Sequence, residues 1–312
     1  MKFIKDLIGN TAINETYLCK SKNLATAKNG SNYYNLTLMD KTGTIDAKIW
    51  DINSDLINDF NVGDFITIEG TITTFNEKLQ INITSTNIAT DYDAENYFPK
   101  TEKNINELCD KLHRLINSVS NDNLNTLLKA FFENDKILDK FKRGSAAKSI
   151  HHAYIGGLLE HSINVATICE QQCILYSDIL NYDLLITAAL LHDIGKIKEL
   201  SDFPANDYTD EGKLLGHIYM GCEMITLKAK NIPNFSKVLL TELKHCILAH
   251  HGELEYGSPK KPALIEAIVL HNADNMDAKI QIFKEKLNKT DDYNWLGFDR
   301  FLDSDIRRTY GQ

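Results

Sequence analysis

Near the middle of the chain, the segment LLHDIGKIKEL sets an imidazole and a carboxylate side by side, His192 and Asp193, at the end of an apolar run, with Gly195 and Lys196 just beyond. Similar placements recur elsewhere: His161 in GGLLEHS, His217 in LLGHI, His250 and His251 in LAHHGE, and Asp274 in HNADNMD. Taken alone, a histidine on an apolar helix is more often a satisfied core residue than a ligand. Five imidazoles and two carboxylates buried together are different, because each carries a desolvation cost on the order of several kcal/mol unless paired. Coordination of metal ions offsets that cost, and helical bundles build metal centres by projecting side chains from several helices into one cavity.

The sequence around these residues has the helical period. After about residue 95, INELCDKLHRLINSV, NLNTLLKAFFENDKILDKF, GLLEHSINVATICEQQCILY, YDLLITAALLHDI, KLLGHIYMGCEMITLKAK, SKVLLTELKHCILAHH and PALIEAIVLHNADNMDAKIQIFKEKL each predict an amphipathic helix. Pro262 is expected in the first turn of the last one and Gly252 at the end of the one before it. From about residue 14 to 90 the period is two instead. ETYLCKSKNLAT, NYYNLTLMD, TIDAKIWD, DFITIEGTITTF and KLQINITSTNI predict five strands, with a short helix over DINSDLINDF between the third and fourth. That order is the order of an OB-fold, a small Greek-key barrel that commonly holds single strands.

The expected architecture is therefore α+β and multidomain: a five-stranded OB-fold barrel over 1–92, a helical linker region over 93–150 that opens on the acidic TDYDAENYFPKTEKN, an all-α bundle over 151–290, and a tail over 291–312. Gly70 suits a bend at a barrel corner. Tyr33, Tyr34, Trp50 and Phe75 are the aromatics from which a base-stacking platform could be built, with Lys48 for phosphates. Alternation puts Tyr33 and Tyr34 on opposite faces, so at most one of them lines a groove. The tail mixes Trp295, Phe298 and Phe301 with Arg300, Arg307 and Arg308, a composition that suits RNA or a neighbouring subunit.

Composition sets limits on function. A chain of 312 residues with 43% hydrophobic content supplies real cores. No apolar run reaches the roughly 18 to 20 residues a membrane span needs, and MKFIKDLIGN lacks a secretory core, so a cytoplasmic protein with no membrane partner is expected. Six cysteines without a CxxC pair read as buried thiols. A net charge of -9 excludes coating nucleic acid by bulk electrostatics, so a polyanion needs metal ions or a local basic lip. Lys142, Arg143 and Lys148 are the candidates for that lip.

The ordered set His, His-Asp, His, His-His, Asp resembles the HD superfamily of metal-dependent phosphohydrolases, in its two-metal members. The resemblance implies that His161, His192, Asp193 and Asp274 hold one ion, that Asp193 bridges, and that His217, His250 and His251 hold the second. The Glu that three-metal relatives carry one turn before the first histidine is replaced by Gly157, and the GYP extension of cyclic-di-GMP hydrolases is missing after His251. With the OB-fold added, HHAYIGGLLEHS, LLHDIGK, EGKLLGHI, LAHHGELEYGSPKKP and NADNMDAK are similar to the YhaM-type 3'-to-5' exoribonucleases of Gram-positive bacteria over nearly the whole chain.

That resemblance implies single-stranded RNA shortened from its 3' end to 5'-mononucleotides, with Mn2+ or Co2+ in use. The ligand chemistry itself admits Mn, Fe, Co, Ni or Zn ahead of Mg. A bridging Asp193 holds two ions roughly 3.5 to 4 Å apart and makes an activated water the nucleophile. Lys196, in the family's HD-x-G-K pattern, is expected to reach a nonbridging phosphate oxygen, and His152, with His151 beside it, to contact phosphate or the leaving group. His271 backs a ligand or packs, while His245 and His113 are structural. Two other readings stand beside this one: a phosphohydrolase for a small cyclic or dinucleotide with the barrel as docking module, and a single-strand-binding factor whose metal site is mainly structural. Single-stranded DNA as partner and a homo-oligomer are left open.

Overall fold

The computed structural model describes residues 1–76, 78–93, 96–148, 152–203, 205–288 and 294–310. Two compact units are present, Met1–Lys100 with Phe203–Ala205, and Thr101–Asp202 with Asn206–Gln312.

In the first unit the period-two runs become β1 (Ala12–Thr26), β2 (Asn32–Asp40), β3 (Gly43–Ile49), β4 (Phe65–Phe75) and β5 (Lys78–Ile88). They close into a barrel in the order β1-β2-β3-β5-β4. Closure depends on β1, whose first half pairs with β4 and whose second half pairs with β2, with a register shift between Cys19 and Ser21. Alternation sends Ile45, Ala47 and Ile49 of β3 inward and leaves Thr44, Asp46 and Trp50 exposed. Tyr17, Leu36, Leu38, Ile66, Ile68, Ile72 and Ile81 complete a dry core. Gly70 sits at the register shift of β4, where a Cβ would lie 2.2 Å from the Asn82 carbonyl oxygen, so no other residue fits this corner. This is the strand arrangement of an OB-fold.

The helix expected over DINSDLINDF does not form. Asp51 and Ser54 side chains accept from the backbone N–H of Asn53 and Leu56, and Asn58 donates to the Thr86 carbonyl. Short polar side chains here compete with the helical ladder and win. The segment instead lays Phe60 into the core and makes an isolated bridge between Ile57 and Thr86. Within the acidic stretch that follows β5, Tyr97 and Phe98 are buried, with Tyr97 edge-on to Phe65 at 4.8 Å.

The second unit contains α1 (Ile105–Ser118), α2 (Asp122–Phe132), α3 (Asp135–Arg143), α4 (Gly157–Leu175), α5 (Tyr182–Leu191), α6 (Lys196–Glu199), α7 (Asp210–Ala229), α8 (Lys237–Ala249) and α9 (Ile265–Leu287). Asparagine N-caps start four of them, Asn104, Asn121, Asn134 and Asn181, each accepting from a backbone N–H of the first turn. Asn134 explains one departure from the sequence reading: the single helix expected over NLNTLLKAFFENDKILDKF breaks there into α2 and α3. Pro262 is not in the first turn of the last helix, because α9 begins at Ile265 and Pro262 belongs to the extended approach to it. Leucine, isoleucine and phenylalanine from α1 to α9 form one core that also takes up Cys169, Cys173, Cys222 and Cys246 as free thiols. The tail, expected only as an aromatic and basic segment, pairs β6 (Trp295–Asp299) with β7 (Ser304–Arg307). Among the described residues, no helix is long and apolar enough to cross a membrane.

Candidate metal centre

The seven residues ordered along the sequence come together in the second unit. His161 lies in the second turn of α4, His192 and Asp193 directly follow α5, His217 follows a break in α7, His250 and His251 close α8, and Asp274 is in the middle of α9. His161 Nε2 is 3.2 Å from His192 Nε2, 3.1 Å from Asp274 Oδ1 and 3.5 Å from Asp193 Oδ2. His192 Nε2 is 3.4 Å from the same Asp193 oxygen. The other oxygen, Asp193 Oδ1, is 3.4 Å from His217 Nε2 and 3.8 Å from His250 Nε2. The ring nitrogens of His217, His250 and His251 form a second close group. Asp193 therefore divides its two oxygens between two ligand groups.

Every imidazole of the set is fixed from behind through Nδ1. Those of His192, His250 and His251 donate to the carbonyl oxygens of Ala189, Ile247 and Tyr256 at 2.8, 2.7 and 2.9 Å. Those of His161 and His217 donate to Asp277 Oδ2 at 2.7 Å and Glu199 Oε1 at 3.0 Å. These bonds settle the tautomer of a neutral ring: its proton is on Nδ1, and Nε2 turns a lone pair inward. Among the described residues, Asp193 Oδ1, His217 Nε2 and His250 Nε2 are buried with no hydrogen-bond partner. Three orphaned acceptors converging on one spot are costly unless a cation lies between them. Ligand-to-ligand spacings of 3.1 to 3.5 Å also match the edges of a coordination shell with ligands at about 2.0 to 2.1 Å. The residues fit divalent ions.

Close backbone approach is part of this construction. A Cβ on Gly195 would stand 2.0 Å from the His217 carbonyl oxygen, so the glycine after His-Asp is what lets α7 bring His217 in. Gly195→Ala is expected to push His217 off position, with overpacking on the order of 1 to 3 kcal/mol. Thermal melting and Mn2+ titration check this; unchanged affinity for metal would remove the packing argument.

Electrostatics follow from burial among unlike charges. Burial works against ionisation of Asp193 and of Asp274, yet Lys196 and the histidines around Asp193, and His161 and His192 around Asp274, hold both carboxyls well below the usual range. Burial pushes His250 and His251 down. His161 goes the other way: burial lowers it, but the carboxylates of Asp274 and Asp277 overcome this and raise it to about 10. Without an ion, His161 therefore carries a proton where an ion needs a lone pair. Its contribution to apoprotein stability is complete below the ordinary histidine value and is lost as pH rises towards about 10. Metal loading at pH 7 should displace about one proton, and affinity should climb with pH across that window. Calorimetry in two buffers of different ionisation enthalpy reads the proton; a heat independent of buffer would rule it out.

Other expected site residues fall in several places. Lys196 Nζ is 2.6 Å from Asp193 Oδ2 and donates to the Ala146 carbonyl at 2.6 Å, so it is occupied by the dividing carboxylate. His152, expected against phosphate, is fully buried: Nε2 meets Asp277 Oδ2 at 2.9 Å and Nδ1 meets the Tyr154 hydroxyl at 2.8 Å. Both of its nitrogens are committed to protein partners behind His161. His151 lies outside the described residues. His271 donates through Nδ1 to the His250 carbonyl and His245 accepts from the Ala263 N–H. Lys148 is paired with Asp207 at 2.6 Å and Arg143 with Asp139 at 3.6 Å, while Lys142 is half-buried at the end of α3. Asp277 and Glu199 were missed by the sequence reading. The first stands one turn after Asp274 and was visible by that spacing; the second has no local signature.

In the first unit Tyr33 and Trp50 pack together with ring centroids 4.6 Å apart and their planes tilted by 31°, and Lys48 Nζ lies 5.3, 5.0 and 5.7 Å from the centroids of Tyr33, Trp50 and Phe75. Trp50 is 47% exposed and Phe75 60%. Tyr34 does not join them; it packs against the barrel core under Lys22.

Two family models match the chain, one described as the HD domain over residues 158–279 and one as an OB-fold nucleic acid binding domain over residues 19–89. Over 275 residues the chain is 36% identical to the 3'-5' exoribonuclease YhaM of Oceanobacillus iheyensis, covering 87% of this chain and 86% of that one. It is 34% identical to the protein of the same name from a Geobacillus species, with 87% and 84% covered, and 34% identical to that of Listeria innocua, with 88% and 87% covered.

Proposed function

The chain belongs to the YhaM family of 3'-5' exoribonucleases, and from that premise we propose how its own residues carry the reaction. It is a metal-dependent exoribonuclease with a barrel that binds single-stranded nucleic acid. Our reading is that two divalent transition-metal ions, Mn2+ or Co2+ in use, serve hydrolysis of single-stranded RNA to 5'-mononucleotides. The observation that carries it is the division of Asp193: one oxygen faces His161 and His192, the other His217 and His250. Bound there, a pair of ions supplies an activated water and neutralises charge on the phosphodiester.

The chain's own groups do the rest. His192, His250 and Asp193 are sealed from solvent, while His217 and Asp274 keep 13% and 17% of their side chains accessible. His251 is also partly accessible, so the scissile phosphate approaches from the side where α7, α9 and the end of α8 meet. Lys196, held against Asp193, keeps a positive charge at the floor of the site, since Asp193 outweighs the burial that opposes it. Tyr33, Trp50, Phe75 and Lys48 form an aromatic and cationic surface suited to unstacked bases and their backbone.

End-labelled single-stranded RNA incubated with Mn2+ tests this. A ladder receding from the 3' end, release of 5'-mononucleotides and arrest by a blocked 3' end are expected. Binding without shortening under any divalent ion would refute it.

A further inference from the structure

Two buried carboxylates outside the candidate ligand set grip ligand imidazoles. Asp277 Oδ2 accepts from His161 Nδ1 at 2.7 Å and faces His152 Nε2 at 2.9 Å, while Oδ1 accepts from Asn164 at 2.9 Å. Both of its oxygens are thus engaged, and it cannot swing in to act as a ligand. His152 is held in turn by Tyr154, whose hydroxyl donates to Glu160 at 2.8 Å. Glu199 Oε1 takes two bonds from one residue, His217 N–H at 2.9 Å and Nδ1 at 3.0 Å. That double grip needs the backbone break at Gly216, whose φ of 73° and ψ of 155° release the His217 N–H from the helix.

The remaining imidazoles, His192, His250 and His251, are backed by neutral carbonyls. The two carboxylate grips are therefore distributed one to each ligand group. Charge supports the same division. Asp193 and Asp274 offset only half of what two divalent ions bring, and Asp277 and Glu199 supply the other half. Lys196 then leaves one positive charge to receive a phosphodiester, which carries one negative charge.

We infer that Glu199 and Asp277 are positioning residues, each setting the affinity of one ion: Asp277 through His161 for the ion near His192 and Asp274, Glu199 through His217 for the ion near His250 and His251. This rests on the two-ion reading. A carboxylate behind a ligand histidine holds ring orientation and raises its basicity, and its loss costs about 10 to 100-fold in metal affinity.

The test titrates Mn2+ into the full chain and its Glu199→Gln and Asp277→Asn variants, by calorimetry and by electron paramagnetic resonance, which separates an exchange-coupled Mn2+ pair from an isolated ion. Wild type should bind two ions as a coupled pair. Each variant should keep one ion at near wild-type affinity, lose about 10 to 100-fold for the other and show the isolated-ion signal at low metal. Adding His251→Ala to Glu199→Gln should spare the retained ion, whereas adding His192→Ala should remove it. Should Asp277→Asn fail to fold, Asn164→Ala, which removes only a prop on Asp277, should give a smaller loss at the same ion. Two ions bound unchanged in the variants would overturn this inference alone, as would equal loss of both ions from a folded variant. Fewer than two in wild type would overturn the two-ion reading with it.

Discussion

Asp193→Asn loses RNA turnover by at least about 10³-fold and no longer holds a coupled pair of ions, while the chain stays folded. The asparagine keeps the shape but removes the charge that faces His161, His192, His217, His250 and Lys196, all within 3.8 Å. Several kcal/mol of transition-state stabilisation depend on ions held there, and about 4 kcal/mol corresponds to a thousandfold in rate. Asparagine is a better choice than alanine. Both leave the buried Lys196 ammonium without its counterion, a loss of about 3 to 5 kcal/mol, but the asparagine side-chain oxygen can still accept from Nζ and fills the same space, where alanine would leave neither partner nor packing. Single-turnover kinetics on end-labelled RNA, beside metal content and a thermal melt, make the measurement. Turnover near wild type, or two ions still bound as a coupled pair, would mean that the bridge is elsewhere.

Much of this centre was legible before any coordinates, and the reason is periodicity. His161, His192, His217 and His250 each end or interrupt an apolar stripe, so a helical reading already points them inward, and their order along the chain does the rest. The barrel was readable on the same grounds: Tyr33 and Tyr34 had to separate, and Tyr33 packs against Trp50 while Tyr34 packs inward. What stayed hidden depends on contacts distant in sequence. Asp277 reaches His161 across 116 positions and Glu199 reaches His217 across 18; the one-turn spacing from Asp274 puts Asp277 on the right face of its helix, but nothing local marks which imidazole either carboxylate holds. His152, expected to contact phosphate or the leaving group, stands instead behind His161, a place that follows from Asp277, 125 positions away. Local polar chemistry accounts for the misread helices, since Asp51, Ser54 and Asn134 each bond nearby backbone instead of continuing or starting a helix where hydrophobic period alone put it.

Replacing Tyr33, Trp50 and Phe75 together with alanine weakens binding of long single-stranded RNA by about 100-fold or more while leaving hydrolysis of a dinucleotide unchanged. Stacking contributes about 1 to 3 kcal/mol per base, so loss of even two partners gives an effect of that size. The three rings are coupled: Lys48 lies within 5.7 Å of each ring centroid, and the Trp50 indole N–H donates to Asn82 at 3.2 Å, which fixes the ring against the strand. Lys48→Gln should act differently from the ring variants. It removes one phosphate partner, so it should lower the salt dependence of binding by about 0.7 in the logarithmic slope, whereas loss of stacking lowers affinity at every salt concentration. Tyr34→Ala is the control for barrel damage, since its ring belongs to the core packing and its removal should lower the melting temperature of the barrel. Affinity for long RNA that survives the triple substitution would move the binding surface off this face. A parallel fall in dinucleotide hydrolysis would mean instead that the rings act on the reaction and not on capture of the strand.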